Sequence, residues 1–190
     1  MSILSWQSVA EPSDRYPSCH CSVIVELDNR DVLVGYYAGS GEARPDAAWV
    51  LARRKPGEQT FGPLSVVSDT DGIPEGNGVL YQNEEGILFC IYGIMHGDLE
   101  GKAGPGVRWR TCDLRMKQSD DRGETWSDVK MIDSEWGNVP RCKPIGSKPG
   151  RCCLVWNTTM GIRGSGAAMT TACPGTWAGG SKVRKTSIRL

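Results

Sequence analysis

Residues 119–126 read SDDRGETW, and the fold turns on what that stretch is. It sets Ser119, Asp121, Gly123, Thr125 and Trp126 at fixed offsets, and such a run could be a catalytic carboxylate cluster, a metal loop or a turn. The residue chemistry favours the turn. Asp121 can accept hydrogen bonds from backbone N–H groups just ahead of it, Gly123 can take a positive φ that other residues resist, and the hydroxyls of Ser119 and Thr125 can close the loop locally. Trp126 then opens the next strand as a large apolar anchor. A calcium loop needs several oxygen ligands at alternate positions and usually a bidentate Glu beyond them. Asp120 and Asp121 are adjacent and would point apart, which argues against that reading.

Outward from the turn, the chain repeats. SVIVEL (22–27), the polar turn DNRD (28–31) and VLVGYY (32–37) spell a β-hairpin. GVLYQ (78–82), NEEG (83–86) and ILFCIY (87–92) spell another, roughly 55 residues further on. KPI (143–145), SKPG (147–150) and RCCLVW (151–156) spell a third, about 64 to 65 residues beyond that. Between them lie further strands: AAWVLARR (47–54), which leads through KPGEQ to TFGPLSVV (60–67), and DLRMKQ (113–118), which leads through the quoted turn to TWSDVKMI (125–132). Each complete unit therefore reads as four antiparallel strands. The connections GSGEARP (39–45) and HGDLEGKAGPGVRWR (96–110) are polar and Gly-rich, the kind of loop that carries function on a rigid scaffold.

Composition narrows the classes. The 22 basic and 22 acidic residues cancel, so the chain as a whole is not a nucleic-acid binder. No apolar run is long enough to span a membrane, and MSILSWQSVAEPSDRYP lacks the basic and apolar regions of a secretory signal. The eight Cys are then read as reduced thiols of a cytoplasmic chain. Cys19-His20-Cys21 and Cys152-Cys153 lack the gaps that let ligands converge on zinc, so no metal and no cofactor are expected. After Trp156 the pattern changes: residues 157–190 hold five basic and no acidic residues, against 17 basic and 22 acidic in residues 1–156. This off-pattern tail reads as the product of another reading frame or splice, or else as a disordered basic tail.

The pattern S-x-D-x-G-x-T-W is similar to the Asp-box, the bacterial neuraminidase repeat, and this copy matches all its defining positions; Thr60-Phe61 marks a degenerate second copy. Together with GNGVLYQ and the order of hairpins and loops, it makes residues 16–156 resemble the exo-α-sialidase superfamily. The resemblance implies an all-β, six-bladed β-propeller, of which about two and a half blades are present in residues 1–156. At 55 to 65 residues per blade, a full ring needs roughly 330 to 390 residues. It also implies that the box turn sits on the rim away from the active site.

The same resemblance supplies candidate residues. Where sialidases carry an Arg-Ile-Pro motif whose Arg grips the substrate carboxylate, this chain has His20-Cys21-Ser22, and the bidentate guanidinium is missing. A His there resembles the predicted-neuraminidase branch of the family. His20 is either a cleft residue able to donate hydrogen bonds or move protons, or a polar residue at the start of a strand. Asp46 lies on the loop that in sialidases bears the general acid/base; Glu42 and Arg44 share that loop. Asn77 and Lys143 are expected at the starts of inner strands, near the central axis. Sialidases use a Tyr activated by Glu as nucleophile, and these come from later blades. The implied activity is exo-hydrolysis of a terminal acidic sugar from a glycan, with this chain an inactive portion that self-associates through exposed strand edges. The alternatives are a non-catalytic propeller binding glycans or proteins, and a propeller polysaccharide lyase using His and Tyr.

Overall fold

The structure is a computed structural model and describes residues 6–97, 108–134, 136–140, 142–143, 145–148, 151–158 and 166–172. Among these the chain is all β, apart from a 3-10 turn at Arg108–Thr111. The first sheet is β1 (Ser18–Glu26), β2 (Val32–Gly39), β3 (Ala48–Arg54) and β4 (Ser65–Ser68), hydrogen-bonded in chain order. The second repeats the order with β5 (Glu75–Gln82), β6 (Leu88–Met95), β7 (Cys112–Ser119) and β8 (Lys130–Asp133). A third sheet contains β9 (Asn138–Pro140), β10 (Ile145–Lys148), β11 (Arg151–Thr158) and β12 (Gly166–Ala172), with β9 and β10 both paired to β11. All pairings are antiparallel. No helix among the described residues is long and apolar enough to cross a membrane.

The fourth strands are shorter than their sequence patterns predict. TFGPLSVV pairs only from Ser65 onward and TWSDVKMI only from Lys130. Pro63 offers no N–H to a ladder, and Thr125 is held back by the turn, so pairing resumes only past them. Within the 157–190 segment, residues 157–158 end β11 and residues 166–172 form β12; the rest lies outside the described residues. Most of the 96–110 loop, from 98 to 107, does too.

Strand alternation builds the core. Leu33, Tyr37, Trp49 and Leu51 from the first sheet meet Leu80, Leu88, Cys90, Tyr92 and Ile94 from the second. The opposite face of the second sheet buries Val79, Phe89, Ile91, Leu114 and Met116. The outer face of the first sheet buries Val34, Tyr36, Ala48 and Val50 under Tyr16 and Val9 of the N-terminal segment and under Phe61 and Leu64. Trp49 fixes the spacing of the first two sheets. A Cβ on Gly35 would stand 2.2 Å from its ring and one on Gly78 only 2.3 Å from its Nε1, so the indole fits only because neither position has a side chain.

The turn at 119–126 is closed by one carboxylate. Asp121 accepts bonds from the N–H groups of Glu124 (3.0 Å) and Thr125 (2.9 Å) and from the hydroxyls of Ser119 (2.7 Å) and Thr125 (2.5 Å). Those donors hold it well below the usual carboxylate range, the Thr125 side chain first among them. Arg122 and Gly123 take φ of 61° and 87°, and Trp126 packs on the core. The turn also ties the sheets together. Arg122 forks onto Asp28 of the β1–β2 turn (2.8 and 3.2 Å), while Arg53 at the end of β3 donates to the Arg122 carbonyl (2.6 Å) and to Asp31 (2.6 Å).

Candidate functional site

Antiparallel order puts the hairpin turns β1–β2, β3–β4, β5–β6 and β7–β8 at one end of the sheets. The starts of β1 and β5 and the β2–β3 and β6–β7 connections fall at the other, away from the Asp121 turn. Cross-sheet bonds keep the two sheets in step, Glu75 N–H to the Ala47 carbonyl at one end and Asp28 N–H to Gln82 at the other, each at 2.8 Å. The candidate residues gather at the end away from the turns.

Two matching β-bulges shape that end. The register of β1 shifts between His20 and Val23, and that of β5 between Glu75 and Gly78, so Cys21-Ser22 together face Tyr36 and Gly76-Asn77 together face Gly93, one extra residue at each of two equivalent places. Bulges bend a strand and re-aim its side chains; Cys21 has φ of 51°. His20, half-buried, stacks on Tyr37 of β2 with ring centres 5.3 Å apart and planes 16° from parallel, and shares a hydrogen bond with Ser18 Oγ (2.8 Å). Asn77 is buried at 6 % exposure, and its Oδ1 has no hydrogen-bond partner.

Glu42 completes the group. Its exposed carboxylate accepts the Trp109 indole N–H at 3.3 Å and the Tyr37 hydroxyl at 3.5 Å. Trp109 stands edge-on to Tyr37 (6.3 Å between centres) and lies over Gly76, where a Cβ would be 2.9 Å from its ring. Burial, with the nearby Cys21 and Glu42 adding to it, pushes the Tyr37 hydroxyl far above the usual tyrosine range. Tyr37 is therefore a protonated donor that orients Glu42, and not a phenolate nucleophile.

The remaining candidates fall elsewhere. Asp46 turns back on its own loop: Ser40 donates to it from the backbone N–H (2.9 Å) and from Oγ (2.8 Å), and the Ser40 hydroxyl chiefly holds its carboxyl below the usual range. Arg44 is exposed on the same loop. Lys143 is exposed in the break between β9 and β10, where the register with β11 is interrupted between Pro140 and Ile145. The bulge residues pair to nothing in the sequence that would reveal them, and Tyr37 reads there as core. Trp109, in a Gly-rich polar loop, was the one visible signal for an aromatic wall.

A further constellation stands at the same end. Asp113, at the start of β7, is buried and takes both Nε and Nη2 of Arg115 (2.8 and 2.9 Å) and the His96 Nε2 (2.6 Å). His96 in turn stacks on Trp136, 6.0 Å between centres and 11° from parallel. A loop His so clamped is fixed in place, whereas the irregular 96–110 segment alone reads as mobile. Among the described residues no group of three His, Cys, Asp or Glu side chains converges as a metal site would need.

Two hollows bracket these groups. One of 250 Å³ shares His20 and Cys21 but is walled by Val9, Val34 and Tyr36 on the other face of β2. The larger, 410 Å³, lies at the far end, where Glu26 pairs with Arg30 and Glu58 caps the Lys55 N–H, so its acidic groups are engaged locally.

No family model and no curated protein matches the sequence. Solved structures do match the fold. A protein of unknown function from Dyadobacter fermentans is 14 % identical with a TM-score of 0.67, over 86 % of this chain and 53 % of its own. The intramolecular trans-sialidase from Ruminococcus gnavus, in complex with oseltamivir carboxylate, is 11 % identical with a TM-score of 0.60, over 87 % of this chain and 62 % of its own. The chain thus spans between half and two thirds of the length of these neighbours, and at such identities the likeness is one of fold alone.

Proposed function

We propose that residues 16–156 are part of a sialidase-like β-propeller whose sheets are its blades, and that the Glu42 end binds the terminal sugar of a glycan for exo-hydrolysis. The observation that carries this reading is the Glu42 carboxylate, exposed yet oriented by the Trp109 N–H and Tyr37 hydroxyl beside the His20 ring. A carboxyl held in this way can serve as the acid/base of glycoside hydrolysis: in its protonated form it gives its proton to the departing glycosidic oxygen, and as the carboxylate it takes one back from the water whose hydroxyl ends on the freed sugar. Glu42 takes this role over Asp46, whose two oxygens are occupied by Ser40. The shared fold with a trans-sialidase supports a terminal sugar as ligand, and Arg44 on the same loop is the cation that would face an acidic one. Asn77 Oδ1, at the same end, is a buried acceptor without a donor among the described residues. The groups that attack the anomeric carbon come from outside these residues in this reading, so the chain binds without turning over. No cofactor is required.

The second reading, a propeller that only binds glycans, is favoured by the engagement of Asp46, which leaves Glu42 without a second carboxylate from its own loop. A lyase is disfavoured because buried Tyr37 cannot readily give the phenolate such chemistry employs. The test is calorimetric titration of the chain with N-acetylneuraminic acid and uncharged sugars, alongside fluorogenic glycosides. Binding lost on Glu42→Gln, with turnover appearing only when a longer chain supplies the missing groups, supports hydrolysis. Binding without turnover in the longer chain leaves the binding-only reading. Saturable binding unchanged by Glu42→Gln removes Glu42 from the site.

A further inference from the structure

Trp136 is an unusual side chain for its position. It is 40 % exposed, yet one face of its indole is covered by His96. The two rings are near parallel and offset, which leaves indole surface free for a ligand. His96 is held by Asp113, and Asp113 by the bidentate Arg115 fork, so the platform cannot swing. A carboxylate only accepts hydrogen bonds, so His96 Nε2 carries the proton shared with Asp113 and Nδ1 faces away from that bond. A rigid aromatic face beside a ring nitrogen that can bond a hydroxyl matches the two sides of a sugar: apolar C–H bonds on one face and hydroxyls at the rim. A protein-docking surface would instead need a contiguous apolar patch, and the ring that Trp136 stacks on is polar and is bonded to the carboxylate of Asp113.

The place of this platform is equally specific. Met95, Cys112 and Val139 form one small buried cluster against which Trp109 also packs. His96 directly follows Met95, Asp113 follows Cys112, and Gly137, next to Trp136, donates its N–H to the Cys112 carbonyl at 2.9 Å. Trp109 packs on this cluster and Trp136 is tied next to it through Gly137, so both indoles belong to the same end of the sheets.

We propose that the His96–Trp136 pair is a second sugar subsite, which stacks a ring further along the glycan whose terminal sugar lies at Glu42. This inference rests on the glycan reading of the Glu42 site. The test is calorimetric titration of the full chain with free N-acetylneuraminic acid and with the trisaccharide 3′-sialyllactose. Trp136→Ala is expected to weaken the trisaccharide about tenfold and to leave the monosaccharide within about twofold, as removal of an aromatic platform should. Trp136→Phe, which keeps an aromatic face, is expected to lose only about threefold for the trisaccharide, and it carries the test if the Ala variant does not fold. Retained monosaccharide binding reports that the fold is intact. Equal loss for both sugars, or no loss for either, overturns the second subsite and leaves the Glu42 reading standing. Failure of the unmodified chain to bind either sugar overturns both.

Discussion

Glu75 should make the stability of this protein fall as the pH rises through neutrality. The side chain is fully buried between the first two sheets, at 0 % exposure. Its Oε1 accepts the Ser68 hydroxyl (2.8 Å) and the Thr70 hydroxyl and N–H (2.8 and 3.2 Å), while Oε2 has no partner at all. Asp69 adds a like charge, and Tyr92, Cys90, Cys112 and Arg115 complete the titratable groups that face it; Lys117 spends its ammonium on the Val67 carbonyl. Desolvation dominates and pushes the carboxyl up to about 7, against an ordinary 4.5. The folded chain thus holds this proton to higher pH than the unfolded chain does. The resulting stabilisation is full below about pH 4.5, and about 3 kcal/mol of it is lost by the time the pH has passed 7. Glu75→Gln keeps an oxygen for Ser68 and Thr70 but cannot ionise. Urea unfolding followed by tryptophan fluorescence, at intervals from pH 4.5 to 8, should show the variant gaining about 3 kcal/mol on the parent across that range. Parallel curves for the two chains would refute the reasoning.

Gly35→Ala and Gly78→Ala each push a Cβ into the Trp49 ring at under 2.5 Å, and each should lower stability by about 3 kcal/mol, seen as an early thermal melt; an unchanged melting temperature would mean the sheets part freely. Asp121→Ala removes the acceptor of four hydrogen-bond donors in one turn and should reduce stability by about 2 kcal/mol, with Asp121→Asn recovering part of it in denaturant titrations. Because its folded carboxyl is held low, the contribution of Asp121 should persist above pH 4 and disappear on further acidification. Arg53→Ala strands the buried Asp31 carboxylate and should lose about 3 kcal/mol, part of which Asp31→Asn restores in the double variant; additive losses would show the pair to be uncoupled.

How much of this was legible depended on the range of the interaction. The turn could be read from eight residues because every bond to Asp121 comes from within four positions of it. The strands could be read because alternation is local as well, and they were overdrawn at 60–64 and 125–129 where Pro63 and the turn break pairing. The site was hidden for the opposite reason. Glu42 meets Trp109 across 67 positions, and His96 meets Asp113 across 17, so nothing in either neighbourhood announces the partner. Bulges were invisible because Cys21-Ser22 and Gly76-Asn77 look like ordinary strand residues until the register with β2 and β6 is known. Lys143 falls between Pro140 and Ile145, where the register with β11 breaks as it does at Cys21-Ser22 and Gly76-Asn77, a correspondence that only the pairing reveals.

The stretch that decides the fold and the residues that would meet a ligand lie at opposite ends of the same strands, and that separation has a consequence for evolution and for experiment. The Asp121 turn is braced against the neighbouring sheet through Arg122 and Arg53, so its chemistry is spent on holding sheets in register. The bulged start of β5 adds a tie at the other end, Glu75 N–H to the Ala47 carbonyl, while the exposed side chains of Cys21 and Glu42 lie outside the buried core, which leaves them more open to change than the turn. A sequence can therefore keep its turns while its site drifts. A fold shared at 11 % identity with a solved structure is what such a separation allows.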